Sequence, residues 1–295
     1  MFLKMLAALM ALSLLLAVAQ LHGQDATPYV TVRPGTLPII LLAPHGGTLK
    51  PEVAKTRTFG YLAQDSNTAE LTLMIAEELQ SRYGGNPHLV ICLMHRMKVD
   101  CNRAIEEAAQ GDPLAMATWH RFHESAEAMR KQVVGQFGAG LLLDIHGHRH
   151  EVPRVELGYL LTDAHLALPD GILNRKAELS AESSIRELDR RSPLSFAALL
   201  RGPLSLGGLF EEQGFPCVPS PLDPAPAKAP YFSGAYDILA HGSRDEGSVS
   251  AIQVECPWEG VRDKPQNQRR FAKAFAVVLG RYFETNFGRK LRMVP

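Results

Sequence analysis

The chain has 295 residues, 46% hydrophobic and 21% charged, enough apolar material for a large core and too much for a disordered chain. Lys+Arg and Asp+Glu both number 31, so the formal net charge is +0. That balance gives no electrostatic footprint for nucleic acid or an anionic membrane, and it points to small molecules or peptides as partners.

The chain opens with a segment of a different kind. A single lysine in MFLK precedes the uncharged run MLAALMALSLLLAVA, which ends in Ala17-Val18-Ala19. A positive start, a short apolar stretch and a small-x-small end predict a secretory signal peptide cut after Ala19. The run falls short of the ~20 residues a membrane span needs. Residues 1–19 are therefore expected to be removed and residues 20–37 to form an N-terminal extension, with a frayed start at Gln20–His22. Residues 38–295 form one domain, and the mature protein is secreted or periplasmic.

PIILLAP (38–44) is a continuous apolar run that stops at a proline, as a strand buried on both faces does. PHGG follows, with His45 ahead of two glycines that allow a sharp turn or a close approach. SNTAELTLMIAEELQSRYG (66–84) carries Leu71, Met74, Ile75 and Leu79 at helical spacing, and Asn67 with Glu70 suggests a capping box. Asp65 stands just before it. PHLVICLM (87–94) is a second buried strand, and it leads into HRMKVDCNR with Arg96, Asp100, Asn102 and Arg103. GDPLAMATWHRFHESAEAMRKQVVGQFG (111–138) is a helix opened by Asp112 and Pro113 and closed by Gly138, with an apolar stripe Trp119, Phe122, Ala126, Met129 and Val133. His120 and His123 at i, i+3 are expected on its solvent face.

GLLLDI (140–145) is a third buried strand, running on into HGHRH. His146 and His148 are two apart and share a side of an extended chain. One of the two is expected to ligate and the other to support it, with Asp144 orienting a neighbouring imidazole. His150 is expected to be solvated. His88, His95, His165 and His241 carry no functional expectation. Between 163 and 248 the pattern is irregular: SAESSIREL and SPLSFAALL predict short helices, Ser205 a helix start facing a pocket, and SPLDPAPAKAP (220–230) a rigid surface loop. SAIQVE (250–255) is a fourth strand, ending at Glu255. RRFAKAFAVVLGRYFETNF (269–287) is a helix with Phe271, Phe275, Val278 and Tyr282 on one face.

Alternating strands and helices predict a three-layer α/β/α sandwich around a mixed, mostly parallel sheet. In such sheets ligands bind beyond the carboxyl ends of the strands. Each apolar run ends in histidines, carboxylates or arginines, so these groups converge on one crevice. Cys92, Cys101, Cys217 and Cys256 include no C-x-x-C pair, which argues against a cysteine zinc site. Disulfides are permitted outside the cytosol, but a chain this long does not need them, and Cys92 in LVICLM suits a buried thiol. No G-x-S-x-G nucleophile elbow is present.

In order along the chain, PHGG, Asp65 before a helix, VDCNR, a D-x-H at a strand end, PYFSGAY and IQVE resemble the N-formylglutamate amidohydrolase family. That family is similar in fold to the zinc carboxypeptidase-like exopeptidases. The resemblance spans roughly residues 38–285. It implies one zinc ion per chain, held by His45, Asp65 and His146, and hydrolysis of an amide bond in a small N-acyl amino acid or peptide with a free carboxylate. It implies further that Glu255 is the base that activates water, and that Asn102 and Arg103, with Arg96 nearby, hold the carboxylate. Asp144, His148, Asp100 and Tyr236 are expected to support the ligands or touch the substrate. The chain departs from the family after each histidine and in GAY, so the metal chemistry carries over more closely than the substrate. Two alternatives stay open at the acidic ligand: Asp65 as a helix cap only, and Glu70 as the ligand. Two stay open for the whole chain: a carboxypeptidase-like exopeptidase, and a metal-bearing binding protein on the same fold.

Overall fold

The computed structural model describes residues 27–292. The expected signal peptide, its cleavage site and the frayed start lie outside the described residues. Seven strands form one mixed sheet in the order β1-β3-β2-β4-β7-β5-β6. Its centre is parallel: β3 (His88–Cys92), β2 (Ile39–Ala43), β4 (Gly140–His148) and β7 (Val249–Pro257). The edges are β1 (Val30–Arg33), antiparallel to β3, and β5 (Val155–Gly158), antiparallel to β7, with β6 (Cys217–Val218) parallel to β5. The four strands expected from apolar runs are the four central ones. The residues read as an N-terminal extension contribute β1, so the sheet begins before position 38.

Every residue of β2 is buried because both faces are covered. Successive side chains point to opposite faces. Ile39 and Leu41, with Leu141, Leu143 and Ile145 of β4, pack in one core with helix α1 (Thr68–Tyr83) and helix α3 (Pro265–Asn286). Ile40, Leu42 and Leu142 pack in another with helix α2 (Pro113–Phe137). The helices bury the predicted stripes: Leu71, Ile75 and Leu79 on α1, Phe122, Ala126, Met129 and Val133 on α2, and Phe271, Phe275, Val278 and Tyr282 on α3.

The helix ends follow the sequence in one case and depart from it in another. Asp112 caps α2, its carboxylate accepting from Ala115 N–H, and Gly138 closes the helix in the left-handed region. No capping box forms at α1. Asn67 itself is left-handed (φ 67°), and its amide Nδ2 donates 2.8 Å to the Arg262 carbonyl. The asparagine therefore ties the start of α1 to the far end of the chain.

His123 corrects the expectation of a solvent-facing histidine. It is buried, with Nδ1 2.9 Å from His241 Nε2 and Nε2 donating 2.9 Å to the Cys101 carbonyl. It lies beside Phe122 on a stripe wider than the periodicity alone indicates, and the loop carrying Cys101 covers it. His88 and His241 are likewise buried. All four cysteines are free and buried, and the two stretches read as short helices correspond to Ala177–Glu182 with Arg186–Arg191, and to Phe196–Arg201. Ser205 does start a helix, Leu206–Glu212, accepting from Gly208 N–H, but it is buried and away from the cavity described below. No helix among the described residues is long and apolar enough to cross a membrane.

Candidate metal centre

The ends of the parallel strands bring the site together. His45 follows β2, His146 lies in β4, and Glu255 of β7 is the register partner of His146. Asp65 comes from the start of α1, and the loop folds back so that its N–H donates 3.0 Å to the His45 carbonyl. This fold-back explains the first glycine of PHGG. A Cβ on Gly46 would stand 2.4 Å from the Ala69 nitrogen, in the first turn of α1.

Three ligand-type atoms face one another. His45 Nδ1 and His146 Nδ1 are 3.1 Å apart, and Asp65 Oδ2 is 3.1 Å from the second and 3.4 Å from the first. All three side chains are buried. The far nitrogen of each imidazole is held by its own buried carboxylate: His45 Nε2 by Asp100 Oδ1 at 2.6 Å, His146 Nε2 by Asp144 Oδ2 at 2.7 Å. Each carboxylate accepts the Nε2 hydrogen and so leaves the Nδ1 lone pair turned inward. Two inward lone pairs and a carboxylate oxygen repel unless a cation lies among them. Ligand atoms at ~2.0–2.2 Å from a tetrahedral centre stand about 3.3–3.6 Å apart, close to the spacings seen here. The donor set fits a divalent metal ion with one coordination position left open.

The surrounding charges fit the same arrangement. Burial alone would raise the Asp65 and Asp100 carboxyls. His45 outweighs it in both cases, aided by His146 at Asp65 and by Arg96 at Asp100, and both lie below the usual carboxylate range. Burial would lower His146, but Asp144 and Asp65 hold its proton affinity well above the ordinary value. Arg96 Nε donates 2.8 Å to Asp100 Oδ2, and its Nη1 lies 3.6 Å from Asp65 Oδ1. Glu70, the alternative acidic ligand, is exposed and outside the cluster. Asp65 is not the cap of α1 either, because its side chain faces His146 and accepts 3.1 Å from Gly147 N–H.

Glu255 lies beside this triad. Its Oε1 accepts 2.8 Å from Gln253 Nε2, and its buried Oε2 has no partner among the described residues. Burial pushes the carboxyl up to about 8 against the opposing pull of His146. Asn102 holds its amide nitrogen 3.1 Å from His146 Nε2, and its Oδ1 accepts 2.8 Å from Asp237 N–H. Arg103 stands on the rim, its side chain 35% exposed. It donates 2.7 Å to the Asn102 carbonyl and lies 3.5 Å from Glu107.

Two of the expected supporting residues are placed differently. Tyr236 packs against Trp119 and His123, with ring centroids 5.9 and 5.4 Å away, and does not line the cavity. His148 does line it, but both its nitrogens are engaged by backbone: Nε2 donates 2.8 Å to the Arg154 carbonyl, and Nδ1 accepts 3.1 Å from His150 N–H. That engagement leaves the neighbouring group His148, His150 and Glu156 without a free histidine lone pair to offer a metal at position 148. His150, expected to be solvated, lies 2.8 Å from Glu156 Oε1 and stacks on Phe232.

The cavity over the triad measures about 680 Å³. Besides the site residues it is lined by Tyr61, Arg149, Tyr231, Phe232, Gln253 and Arg262, none of which was singled out in the sequence. Tyr231 and Phe232 belong to the PYFSGAY segment. Gln253 had a signal too, since it precedes Glu255 by two and shares its side of β7. Arg262 had none.

A mixed, mostly parallel sheet with helices on both sides and a buried His/Asp cluster at its strand ends is an α/β/α arrangement able to chelate a divalent metal. The chain matches no protein-family model and no curated protein by sequence. Its fold is similar to that of the N-formylglutamate amidohydrolase of Ralstonia eutropha JMP134, with a TM-score of 0.52 and 12% identity over 88% of this chain and 97% of that one. A gene product of Agrobacterium tumefaciens is similar too, with a TM-score of 0.50 and 13% identity over 87% of this chain and 95% of that one. At such identity the likeness is one of fold.

Proposed function

We propose that the protein is an exported zinc-dependent amidohydrolase that cleaves an amide bond in a small N-acyl amino acid or a peptide with a free carboxylate. The observation that carries this reading is Glu255: a buried carboxylate with one free oxygen, directly across the strand pairing from a chelating histidine. Holding a metal requires no such base.

His45, Asp65 and His146 would hold the ion, and two nitrogens with one oxygen suit zinc. A zinc ion in that place supplies Lewis acidity and lowers the pKa of water toward ~7. Glu255 takes the proton from the attacking water at its free Oε2 and later gives it to the leaving amine. Gln253 fixes the other oxygen, so the carboxylate does not swing. Asp100 and Asp144 keep the two imidazoles in the ligating tautomer. Arg96 bridges Asp65 and Asp100 and holds the acidic ligand against the first histidine's partner. Burial of these groups excludes bulk water from the reacting bond.

The test is metal analysis of the purified protein followed by a screen of N-acyl amino acids and short peptides, with and without chelator. About one zinc per chain and chelator-sensitive release of amine are expected. His45→Ala and His146→Ala should each abolish stoichiometric metal. Full metal content in both variants would show the triad to be the wrong cluster, and stoichiometric zinc with no turnover of any amide would leave a metal-bearing binding protein.

A further inference from the structure

Four arginines line the cavity, and they differ in what their guanidinium groups already hold. Arg96 is buried on Asp100 and Asp65. Arg262 is buried and spends its donors on three backbone carbonyls, those of Cys256, Ser66 and His148. Arg103 is turned to the Asn102 carbonyl and to Glu107. Arg149 forms no hydrogen bond and no ion pair among the described residues. Its guanidinium instead lies over the face of the Trp258 ring, with Cζ 3.9 Å from the ring centroid.

We infer that Arg149 is the residue that receives the substrate's carboxylate, and therefore the one that sets a preference for free acids over amides. This rests on the amidohydrolase reading above and adds the group that reads the substrate's charge. Stacking on an indole immobilises a guanidinium through its face and leaves the N–H donors at its edge unspent. That is the pre-organised fork a carboxylate binds with two hydrogen bonds. Arg149 is three residues beyond His146, so its Cα lies within about 10 Å of that ligand's. A small amino-acid unit can span from the metal site to the fork.

The neighbouring groups reinforce the charge. Arg262 Cζ lies 5.6 Å from the same indole. It is packed so closely beneath β4 that a Cβ on Gly147 would come within 2.1 Å of it. Its positive charge therefore stands behind Arg149 without a free fork of its own. The cavity's two carboxylates belong to the metal centre rather than to this wall: Asp65 faces His146 and Gly147, and Glu255 is held through Oε1 by Gln253. This wall carries two guanidiniums and no carboxylate of its own.

The experiment is calorimetric binding of N-formyl and N-acetyl amino acids, each as free acid and as carboxamide, to the zinc-loaded full chain. Glu255→Gln is the background, so that turnover does not intrude. The parent should bind free acids about 10- to 100-fold more tightly than carboxamides, the range for hydrogen bonds to a charged group. Arg149→Met should erase that preference by weakening only the acids. Arg149→Lys should keep part of it, having the charge without the fork, and Arg103→Met should keep all of it. A preference that survives Arg149→Met, or a parent that binds acid and amide equally, overturns the assignment. Failure of the amidohydrolase reading has a different signature: an Arg149-dependent preference for acids with no hydrolysis by the unsubstituted protein.

Discussion

The two carboxylates behind the histidines do the same local job in different surroundings, and that difference yields a sharp expectation. Asp144→Asn replaces a carboxylate whose Oδ2 holds His146 Nε2 at 2.7 Å and whose Oδ1 has no partner among the described residues. Asp237, fully buried, lies close by with both oxygens unpartnered among the described residues. Removing the Asp144 charge weakens the hold on His146 but strips no guanidinium of its partner. Asp100→Asn also loosens an imidazole, His45. It strips two buried cations as well, Arg96 at 2.8 Å and Arg57 at 3.6 Å. Loss of a carboxylate behind a ligating histidine costs roughly 10- to 100-fold in metal affinity, which is about 1.4–2.8 kcal/mol. Breaking a buried ion pair from one side costs about 3–5 kcal/mol in stability. Both variants should therefore bind zinc 10- to 100-fold more weakly in competition with a chromophoric chelator. Urea unfolding of the metal-free proteins should separate them: Asp100→Asn, which leaves two guanidiniums and an imidazole without their carboxylate, loses several kcal/mol, and Asp144→Asn, which leaves one imidazole, loses less. Unchanged zinc affinity in Asp144→Asn, or equal destabilisation of the two, would refute the division of roles.

Glu255→Gln should retain the fold and the zinc while turnover drops by two to four orders of magnitude, the usual contribution of a general base, about 10²–10⁴; near-normal turnover would reassign Glu255 to structure. Three buried histidines should make the metal-free protein acid-labile. Burial lowers His88 and His123 to about 4 and His241 to about 3, whereas in the unfolded chain each titrates near ~6.5. The unfolded state thus takes up protons first, so stability is full above ~6.5 and falls as pH drops toward 4 and 3. The urea midpoint measured from pH 8 to 4 checks this, and a midpoint independent of pH across that window would contradict it. No cysteine should react with a thiol reagent in the native protein, and four should react per chain after unfolding. Burial pushes the Cys101 and Cys217 thiols up and Cys256 to about 12, which suppresses the thiolate further.

The central sheet was legible because a strand buried on both faces must be apolar throughout, and such a run is conspicuous when it stops at PHGG or DIHGH. The edge strands were not. β1, β5 and β6 span four, four and two residues, too few to show a period. His45 and His146 stand out at strand ends, whereas the full set with Asp65 is implied by the family resemblance; that Asp65 and not Glu70 meets the histidines follows from the fold-back of the 46–65 loop onto His45. Partners distant in sequence were out of reach. Asp100 sits four residues after Arg96 and was readable as its neighbour. That it also holds His45, 55 residues away, follows only from the adjacency of β2 and β3. Arg149 is the clearest case: nothing in HGHRH singles it out, and its partner Trp258 lies beyond the end of β7.

The charges around the triad explain why these residues occur together. Asp65, Asp100, Asp144 and Glu255 are four buried carboxylates, and Arg57 and Arg96 are the guanidiniums set against Asp100 and Asp65. Burial first and Asp144 next raise the Asp237 carboxyl well above the ordinary value, which disfavours its charge beside theirs. Two guanidiniums face two of the four carboxylates, and buried charge without a partner is expensive, so without a metal the site draws protons instead, as the raised proton affinities of His146 and Glu255 reflect. A divalent ion at the triad would take the place of those protons and favour the ionised form of Glu255, the form a general base requires. Arg149 then remains as a guanidinium facing the cavity with no carboxylate partner among the described residues. The charge that would balance it belongs to no residue lining the cavity, and a carboxylate carried in by the substrate would bring it.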